Sequence, residues 1–249
     1  MHLKTLVSLA ASLLLLIPAC AADWRTATRE SAGIAPKPEE QKEAVVQVYA
    51  ARAVRWRGLF AVHTWIAVKK KDAARYTTYQ VIGWRLRRGR DALAVAEDVP
   101  DRHWFGKRPA LVAELIGPPA ESAIPKIEKA AAEYPYPRRY RAWPGPNSNT
   151  FVSFILRRVP ELRVELPPHA VGKDWIGRGD LIEITESGTG WQLSLFGLLG
   201  LSLGAAEGLE VNVLGLNFGF DLLRPALKLP MAGRVGLRDK PPTSPKPMP

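Results

Sequence analysis

Three strand-like runs in the first third of the chain constrain the fold most. Residues 44–54 (AVVQVYAARAV), 59–68 (LFAVHTWIAV) and 76–86 (YTTYQVIGWRL) are rich in β-branched and aromatic residues, with the turn-forming RWRG and the charged KKKDAA between them. Such runs joined by short turns predict an antiparallel β-meander. Hairpin counting from the loop near residues 71–72 places His63 opposite Gln80 or Val81.

A first amphipathic helix is predicted at residues 122–134, SAIPKIEKAAAEY. Ser122 is a suitable N-cap, and Pro125 falls early enough to be tolerated in the first turn. Residues 91–118 contain short apolar runs that fit either strands or helical turns, and both alternatives stay open.

A second helix is predicted to begin just after Ser148 and to end at Pro160. The segment TFVSFILRRV puts its apolar residues on one face and its two arginines, Arg157 and Arg158, on another. The sequence therefore predicts a helix that is buried on its apolar side.

The last third is apolar and punctuated by glycine. Leu209, Val211 and Val213, and then Leu216, Phe218 and Phe220, alternate with other residues as half-buried strand residues do. We interpret this region as core strands, with a surface-docking element as the alternative, because so many glycines disfavour a membrane-spanning helix.

These elements predict an α+β fold, an antiparallel sheet packed on two or more helices, with a glycine-rich β portion at the C-terminus. A chain of 249 residues supports one main domain. The expected organisation is a signal peptide at 1–22, a single domain at 23–235 and a disordered Pro-rich tail at 236–249.

The N-terminus reads MHLKTLVSLAASLLLLIPAC, with one lysine, an apolar run at 6–17 and then small residues. This is the pattern of a secretory signal. Cys20 follows Leu-Ile-Pro-Ala, which resembles the lipobox of bacterial lipoproteins and implies a lipidated Cys20. Ordinary cleavage near Ala21 or Ala22 is the alternative. We expect export to the periplasm or the outer membrane, with membrane lipid as a partner through this anchor.

The formal net charge of +11 favours contact with anionic partners. The basic clusters at 85–90 (RLRRGR) and 138–141 (RRYR) lack the context of known nucleic-acid-binding motifs, so nucleic acid is not the expected partner. We interpret both clusters as solvated faces.

Metal-ligand spacings and phosphate-binding glycine loops are also missing from the sequence, so neither a metal nor a cofactor is expected.

The stretch WPGPNSNTF, residues 143–151, contains the main candidate site residue. Backbone N–H groups at a helix start favour an oxyanion beside Ser148, and an imidazole such as His63 would remove its proton. Gln80 or Tyr79 would orient that imidazole. The alternative is that Ser148 only caps the helix.

Flanking residues have both structural and functional interpretations. Asn147 and Asn149 fit turns and caps, or else an oxyanion donor or substrate clamp. Trp65, Trp84 and Trp143 would line a cleft or belong to the core.

HTWI at His63 and NSNTFVSFILR at Ser148 together resemble the circularly permuted papain-like NlpC/P60 group, which includes lecithin retinol acyltransferase-like proteins and PPPDE peptidases. The resemblance spans residues 44–160 and implies a histidine base and a nucleophile at a helix start, but Ser148 stands where the family has cysteine. More closely, WRTATRESAGIAP, VVQVYAARAVRWRGLFAVHTWI and YRAWPGPNSNTFV resemble the bacterial domain of unknown function 3750 family over nearly the whole mature chain. That family implies no activity.

The resulting hypothesis is an envelope amide or ester hydrolase, or an acyltransferase-like protein, that acts on a peptide, an envelope polymer or a lipid. Serine is less easily ionised than cysteine, so this nucleophile would need a well-placed base. A non-catalytic binding protein on a papain-like scaffold is the first alternative. A basic protein that binds polyanions or membrane surfaces is the second.

Overall fold

The structure is a computed structural model that describes residues 25–177 and 179–237. The predicted signal peptide, Cys20 and the tail from residue 238 onward lie outside the described residues. Two antiparallel sheets, two α-helices and three short 3-10 segments make up the described part, which confirms the α+β class and the glycine-rich β portion.

The first sheet has five strands in the order β4-β3-β2-β1-β5. The strands are β1 (Val45–Arg52), β2 (Val62–Lys69), β3 (Thr77–Val81), β4 (Leu93–Glu97) and β5 (Ala110–Ile116). All pairs are antiparallel, so the meander predicted from the first three runs is confirmed. The segment left open at 91–118 supplies both edge strands.

The register of the second hairpin differs from the prediction. Ile66 pairs with Tyr79, and this register sets Trp65, not His63, opposite Gln80. His63 is thus opposite Ile82, one residue from the predicted Val81 and two from the predicted Gln80, and Gln80 lies diagonal to His63 on the same face of the sheet.

Helix α1 (Pro118–Ala132) begins four residues before the predicted start at Ser122. Its first turn contains Pro118 and Pro119, whose missing N–H groups cost nothing there. Pro125 lies inside the helix, not in its first turn.

Helix α2 (Ser148–Arg158) packs beside α1 on one face of the first sheet. Ile66 and Val48 of the sheet meet Phe151 and Ile155 of α2 in this core, all of them with no exposed surface. The opposite face of the sheet carries a second apolar cluster around Trp65. The first sheet is therefore covered on both faces.

The second sheet is a seven-stranded meander that runs from β6 to β12 in sequence order. Its strands are β6 (Ile182–Ile184), β7 (Gly190–Leu195), β8 (Leu199–Gly204), β9 (Gly208–Val213), β10 (Leu216–Asp221), β11 (Ala226–Leu229) and β12 (Gly233–Gly236). The predicted strands are present, but their apolar residues face outward. Leu209, Val211 and Phe218 are each more than 40% exposed, whereas Glu210, Asn212 and Asn217 are buried. The core-strand interpretation is therefore wrong about the direction of burial.

Helix α2 joins the two sheets through a buried polar contact. Arg157, predicted to lie on the helix face away from the core, is 6% exposed. Its guanidinium donates to Ile184 O at 2.8 Å and to Ser153 Oγ at 2.5 Å, and it lies 3.5 Å from the Glu186 carboxylate. Strand β6 and the turn after it supply Ile184 O and the Glu186 carboxylate, which help to make this burial possible. None of the helices in the described ranges has both the length and the apolar character needed to cross a membrane.

Candidate functional site

A cleft of about 1010 Å³ lies at one end of the first sheet. Its walls come from the ends of β1, β2 and β3, from the two 3-10 segments at Arg55–Leu59 and Gly83–Arg88, and from the start of α2. Gly83 is needed at its wall, because a Cβ there would lie 2.4 Å from the ring of Tyr140. His63 and Ser148 both line this cleft.

Asn147, not Ser148, caps helix α2. The Asn147 side chain accepts from the N–H groups of Asn149 and Thr150, and the Thr150 hydroxyl accepts from the Asn147 N–H, which completes a capping box. Gly172 permits this, since a Cβ there would lie 2.3 Å from the Asn147 amide. The cap interpretation is confirmed for Asn147 and is wrong for Ser148, which is the first helical residue.

The amide of Asn149 ties the helix to the sheet. Its Nδ2 donates to Val62 O at 3.0 Å and to Val171 O at 2.8 Å, and its Oδ1 accepts from the Thr64 hydroxyl at 3.0 Å. Both asparagine side chains thus bond to the protein itself, and this use fits their structural interpretation better than a role as ligand donors.

His63 is held by an aromatic ring and an amide. Its ring stacks on Trp104 with centroids 3.6 Å apart, and its Nε2 lies 3.1 Å from Gln80 Oε1. Gln80 is therefore in position to orient the imidazole, although a catalytic role stays a prediction. Burial lowers the pKa of His63 to about 4, and the hydrogen bond with Gln80 only partly offsets this. The imidazole is neutral near pH 7, as a general base must be.

His63 and Ser148 approach the cleft from opposite faces of the sheet. His63 shares a face of β2 with Trp65, to which its ring is stacked at 5.8 Å. Thr64, on the other face, donates to the main-chain oxygen of Ser148 at 3.4 Å. Within the described ranges no hydrogen bond links the imidazole to the Ser148 hydroxyl. The structure brings the pair to one cleft without joining them.

The tryptophans predicted at the cleft are only partly there. Trp84 lines it, together with Trp104 and Phe105, which the sequence did not single out. Trp65 is 4% exposed in the cluster under the sheet, and its Nε1 donates to Pro100 O at 2.7 Å. Trp143 is exposed outside the lining, where its Nε1 donates to Leu214 O at 2.8 Å. The sequence could not separate these cases because a tryptophan fits a core as well as a cleft wall, and only packing decides between the two.

Arginine supplies the charge of the cleft lining, to which no aspartate or glutamate of residues 25–177 and 179–237 contributes. The described part of the chain supplies six arginines, Arg25, Arg29, Arg55, Arg57, Arg87 and Arg88. Arg87 and Arg88 come from the RLRRGR cluster; they are exposed, as predicted for a solvated face, and they also line the cleft. In the described part of the chain, no carboxylate pairs with Arg55, Arg57, Arg87 or Arg88. Their positive charge is thus available to a ligand.

Two cleft residues hold a backbone conformation that L-amino acids rarely adopt. Arg55 has φ 60° and Phe105 has φ 50°. Residues in this region are over-represented at functional sites, where the surrounding structure holds them in place. The arginine lining and these two backbone conformations together make the cleft the strongest site candidate in the described residues.

No group of three or more side chains that could hold a metal ion is found in residues 25–177 and 179–237.

Comparison with known family models identifies the family of this chain. The family model described as "Protein of unknown function (DUF3750)" matches residues 43–175, which include β1, both helices and most of the cleft. The chain belongs to this family. The DUF3750 match is shorter than the resemblance noted in the sequence, because WRTATRESAGIAP and the second sheet lie outside it. The papain-like resemblance is not confirmed. Searches of curated proteins and of solved structures found no match to the chain.

Proposed function

We propose that this DUF3750 protein binds an anionic ligand of the cell envelope in its cleft, a polymer or lipid that carries phosphate or carboxylate groups. The observation that carries the proposal is that the described residues line the cleft with six arginines and no carboxylate. Guanidinium groups form paired hydrogen bonds with such anions, which gives geometric selectivity as well as attraction. The aromatic wall of Trp84 and Trp104 adds apolar surface for the uncharged part of the ligand.

The test is calorimetric titration with inorganic tripolyphosphate. Arg57→Gln combined with Arg88→Gln removes two charges from the cleft, and we expect binding to weaken by roughly tenfold or more. The matched control is Arg75→Gln combined with Arg108→Gln. Both arginines are exposed and lie outside the lining, so their substitution removes the same charge from another part of the surface. An equal loss in both variants would show attraction to net charge alone and would contradict a cleft site.

Hydrolysis or acyl transfer in the same cleft is the second candidate, and the position of His63 favours it. With Nε2–H donating to Gln80, the other ring nitrogen is the basic one, and it has no hydrogen-bond partner in the described residues. Ser148 would be the nucleophile, at a helix start whose N–H groups favour an oxyanion. Because the two groups are not hydrogen-bonded to each other, this activity needs a ligand-induced adjustment.

A fluorophosphonate probe tests this second candidate. Catalysis predicts labelling that Ser148→Ala and His63→Gln both abolish and that Ser122→Ala, an exposed helix serine, leaves unchanged. Folded protein that takes up no probe would leave the cleft as a binding site without turnover.

Export and a lipid anchor at Cys20 complete the proposal. They are supported by the signal-like residues 1–19 and the lipobox-like Leu-Ile-Pro-Ala before the cysteine. Incorporation of labelled palmitate that disappears in Cys20→Ser is the expected result. A mature N-terminus at Ala21 or beyond would contradict lipidation.

A further inference from the structure

The outward face of the second sheet consists of apolar side chains in every described strand. One row across six strands shows the pattern: Ile182, Leu193, Leu201, Val211, Phe218 and Leu229. Successive residues in this row are cross-strand partners. The last pair, Phe218 and Leu229, follows from the register of β10 with β11. All six residues are 37% or more exposed. Within residues 25–177 and 179–237, no other element covers this face.

The opposite face of the same sheet is polar and buried. Lys173 Nζ lies 2.5 Å from Glu210 Oε2, and Lys228 Nζ lies 2.9 Å from Glu210 Oε1. Asp174 accepts from Gln192 and Asn217, each at 2.7 Å. The sheet cannot turn over to hide its apolar residues, because the polar face is tied to the rest of the protein by these contacts.

The apolar face is large for a protein surrounded only by water. Seven strands about 4.8 Å apart and roughly 20 Å long give a face of about 600 Å². The largest contiguous apolar patch on a typical monomeric protein is about 300–600 Å², and it is often functional. Exposure on this scale marks an interaction surface.

The turns between the strands distinguish lipid from a second copy of the chain. Phe196 and Leu214 at one end of the sheet, and Leu222 and Leu223 at the other, are 58–73% exposed. Face-to-face pairing of two sheets covers the strands but leaves projecting turns in water. Acyl chains, being fluid, cover strands and turns alike.

Charge also favours an anionic lipid surface. The turn that contains Leu214 is bonded to Trp143, and the next residue, Gly215, lies against Val171 of the cleft lining. The arginine cleft is therefore joined to one end of the sheet. Basic side chains next to a membrane are attracted to anionic head groups, and tryptophans such as Trp143, which is 51% exposed, favour the interface.

We propose that the outward face of strands β6 to β12 docks in the head-group region and upper acyl chains of a bilayer that contains anionic lipid. This inference does not depend on the ligand of the cleft. Docking would hold the cleft beside the membrane, in addition to any anchor at Cys20.

Vesicle flotation tests the proposal with two matched variants of the full chain. Val211→Asn places a polar group on the docking face, and Val95→Asn makes the same change on β4 of the first sheet; the two valines are 41% and 49% exposed. Both carry the same N-terminal segment, so its own lipid affinity cancels. The vesicles contain phosphatidylcholine and phosphatidylglycerol in equal parts. We expect Val211→Asn to lower partitioning roughly tenfold, the effect of removing one apolar side chain from the membrane, and Val95→Asn to leave it unchanged.

A dye attached through cysteine measures the contact directly. In a Cys20→Ser background, an environment-sensitive dye on Leu201→Cys should shift to the blue with vesicles and be quenched by lipids with labelled acyl chains. The same dye on Lys37→Cys, an exposed position on the arm before β1, should not respond.

Three outcomes would overturn the proposal. Equal partitioning of the two valine variants is one. Binding that disappears at high salt but ignores Val211→Asn is another, since it would assign binding to the arginines alone. The third is a chain that dimerises without lipid, loses the dimer in Val211→Asn and leaves the Leu201 dye unresponsive to vesicles, which would identify a second copy as the occupant.

Discussion

The two sheets of this protein use the same strand pattern in opposite directions. The five-stranded sheet buries apolar side chains on both faces, under helices α1 and α2 on one side and under the Trp65 cluster on the other. The seven-stranded sheet buries its polar residues and turns its apolar ones outward. Alternation along a strand thus defines two faces without deciding which one the protein covers.

The polar interior of the second sheet is stable because its charges have partners. Burial alone would lower the pKa of Lys173, but the carboxylates of Glu210, Glu186 and Asp174 raise it well above its ordinary value. Lys173 therefore stays charged and paired. Buried pairs of this kind are costly to break, since the remaining charge is left without solvent or partner.

Glu210→Leu is expected to have the largest effect on stability. It leaves Lys173 and Lys228 without their shared carboxylate in a buried site. We expect the free energy of unfolding to fall by about 3–5 kcal/mol, as when one partner of a buried ion pair is removed. Urea denaturation measures this, and a loss below about 1 kcal/mol would show that the other carboxylates, Glu165 beside Lys228 and Glu186 and Asp174 near Lys173, are sufficient partners.

Ile66→Ala tests the apolar core of the first sheet. Ile66 has no exposed surface and packs under helix α2, so the change leaves a cavity. A loss of about 2–5 kcal/mol in the free energy of unfolding is expected from the lost burial and the cavity. If urea melts show no loss, the core packing described here is wrong.

Acid should weaken the first sheet at His63. The pKa of this buried histidine is about 4 in the fold, below its ordinary value of 6.5, so between these values the unfolded chain binds more protons than the folded one. The contribution of His63 to the free energy of unfolding is therefore fully present above pH 6.5. It decreases as the pH falls toward 4, by up to about 1.4 kcal/mol per pH unit. His63→Gln should reduce the slope of this part of the pH profile in urea melts at a series of pH values. His169, whose pKa burial also lowers to about 4, contributes to the slope that remains.

Leu203→Ala should have the smallest effect. Leu203 is 64% exposed on the outward face of β8, and truncation removes little buried area. We expect the free energy of unfolding in lipid-free buffer to change by no more than about 0.5 kcal/mol. A loss comparable to that of Ile66→Ala would mean that the face is already covered in solution, and would remove the contrast between the sheets.

The sequence by itself determined the local elements. The runs at 44–86 predicted β1 to β3, the Pro-Asn stretch before Phe151 predicted the start of α2, and the alternation from Leu209 predicted strands. It also selected His63, Gln80 and Ser148, which the structure brings to one region. Local propensity and periodicity are carried by neighbouring residues, so they can be seen along the chain.

Only the tertiary structure decided which faces are buried and which charges meet. Arg57 and Arg88 are far apart in sequence yet line one cleft, and Arg157 is buried because Ser153, Glu186 and Ile184 surround it. The outward direction of Val211 depends likewise on the partners of Glu210 beneath the sheet. A strand pattern is symmetric under exchange of its two faces, and that symmetry is broken only by long-range packing.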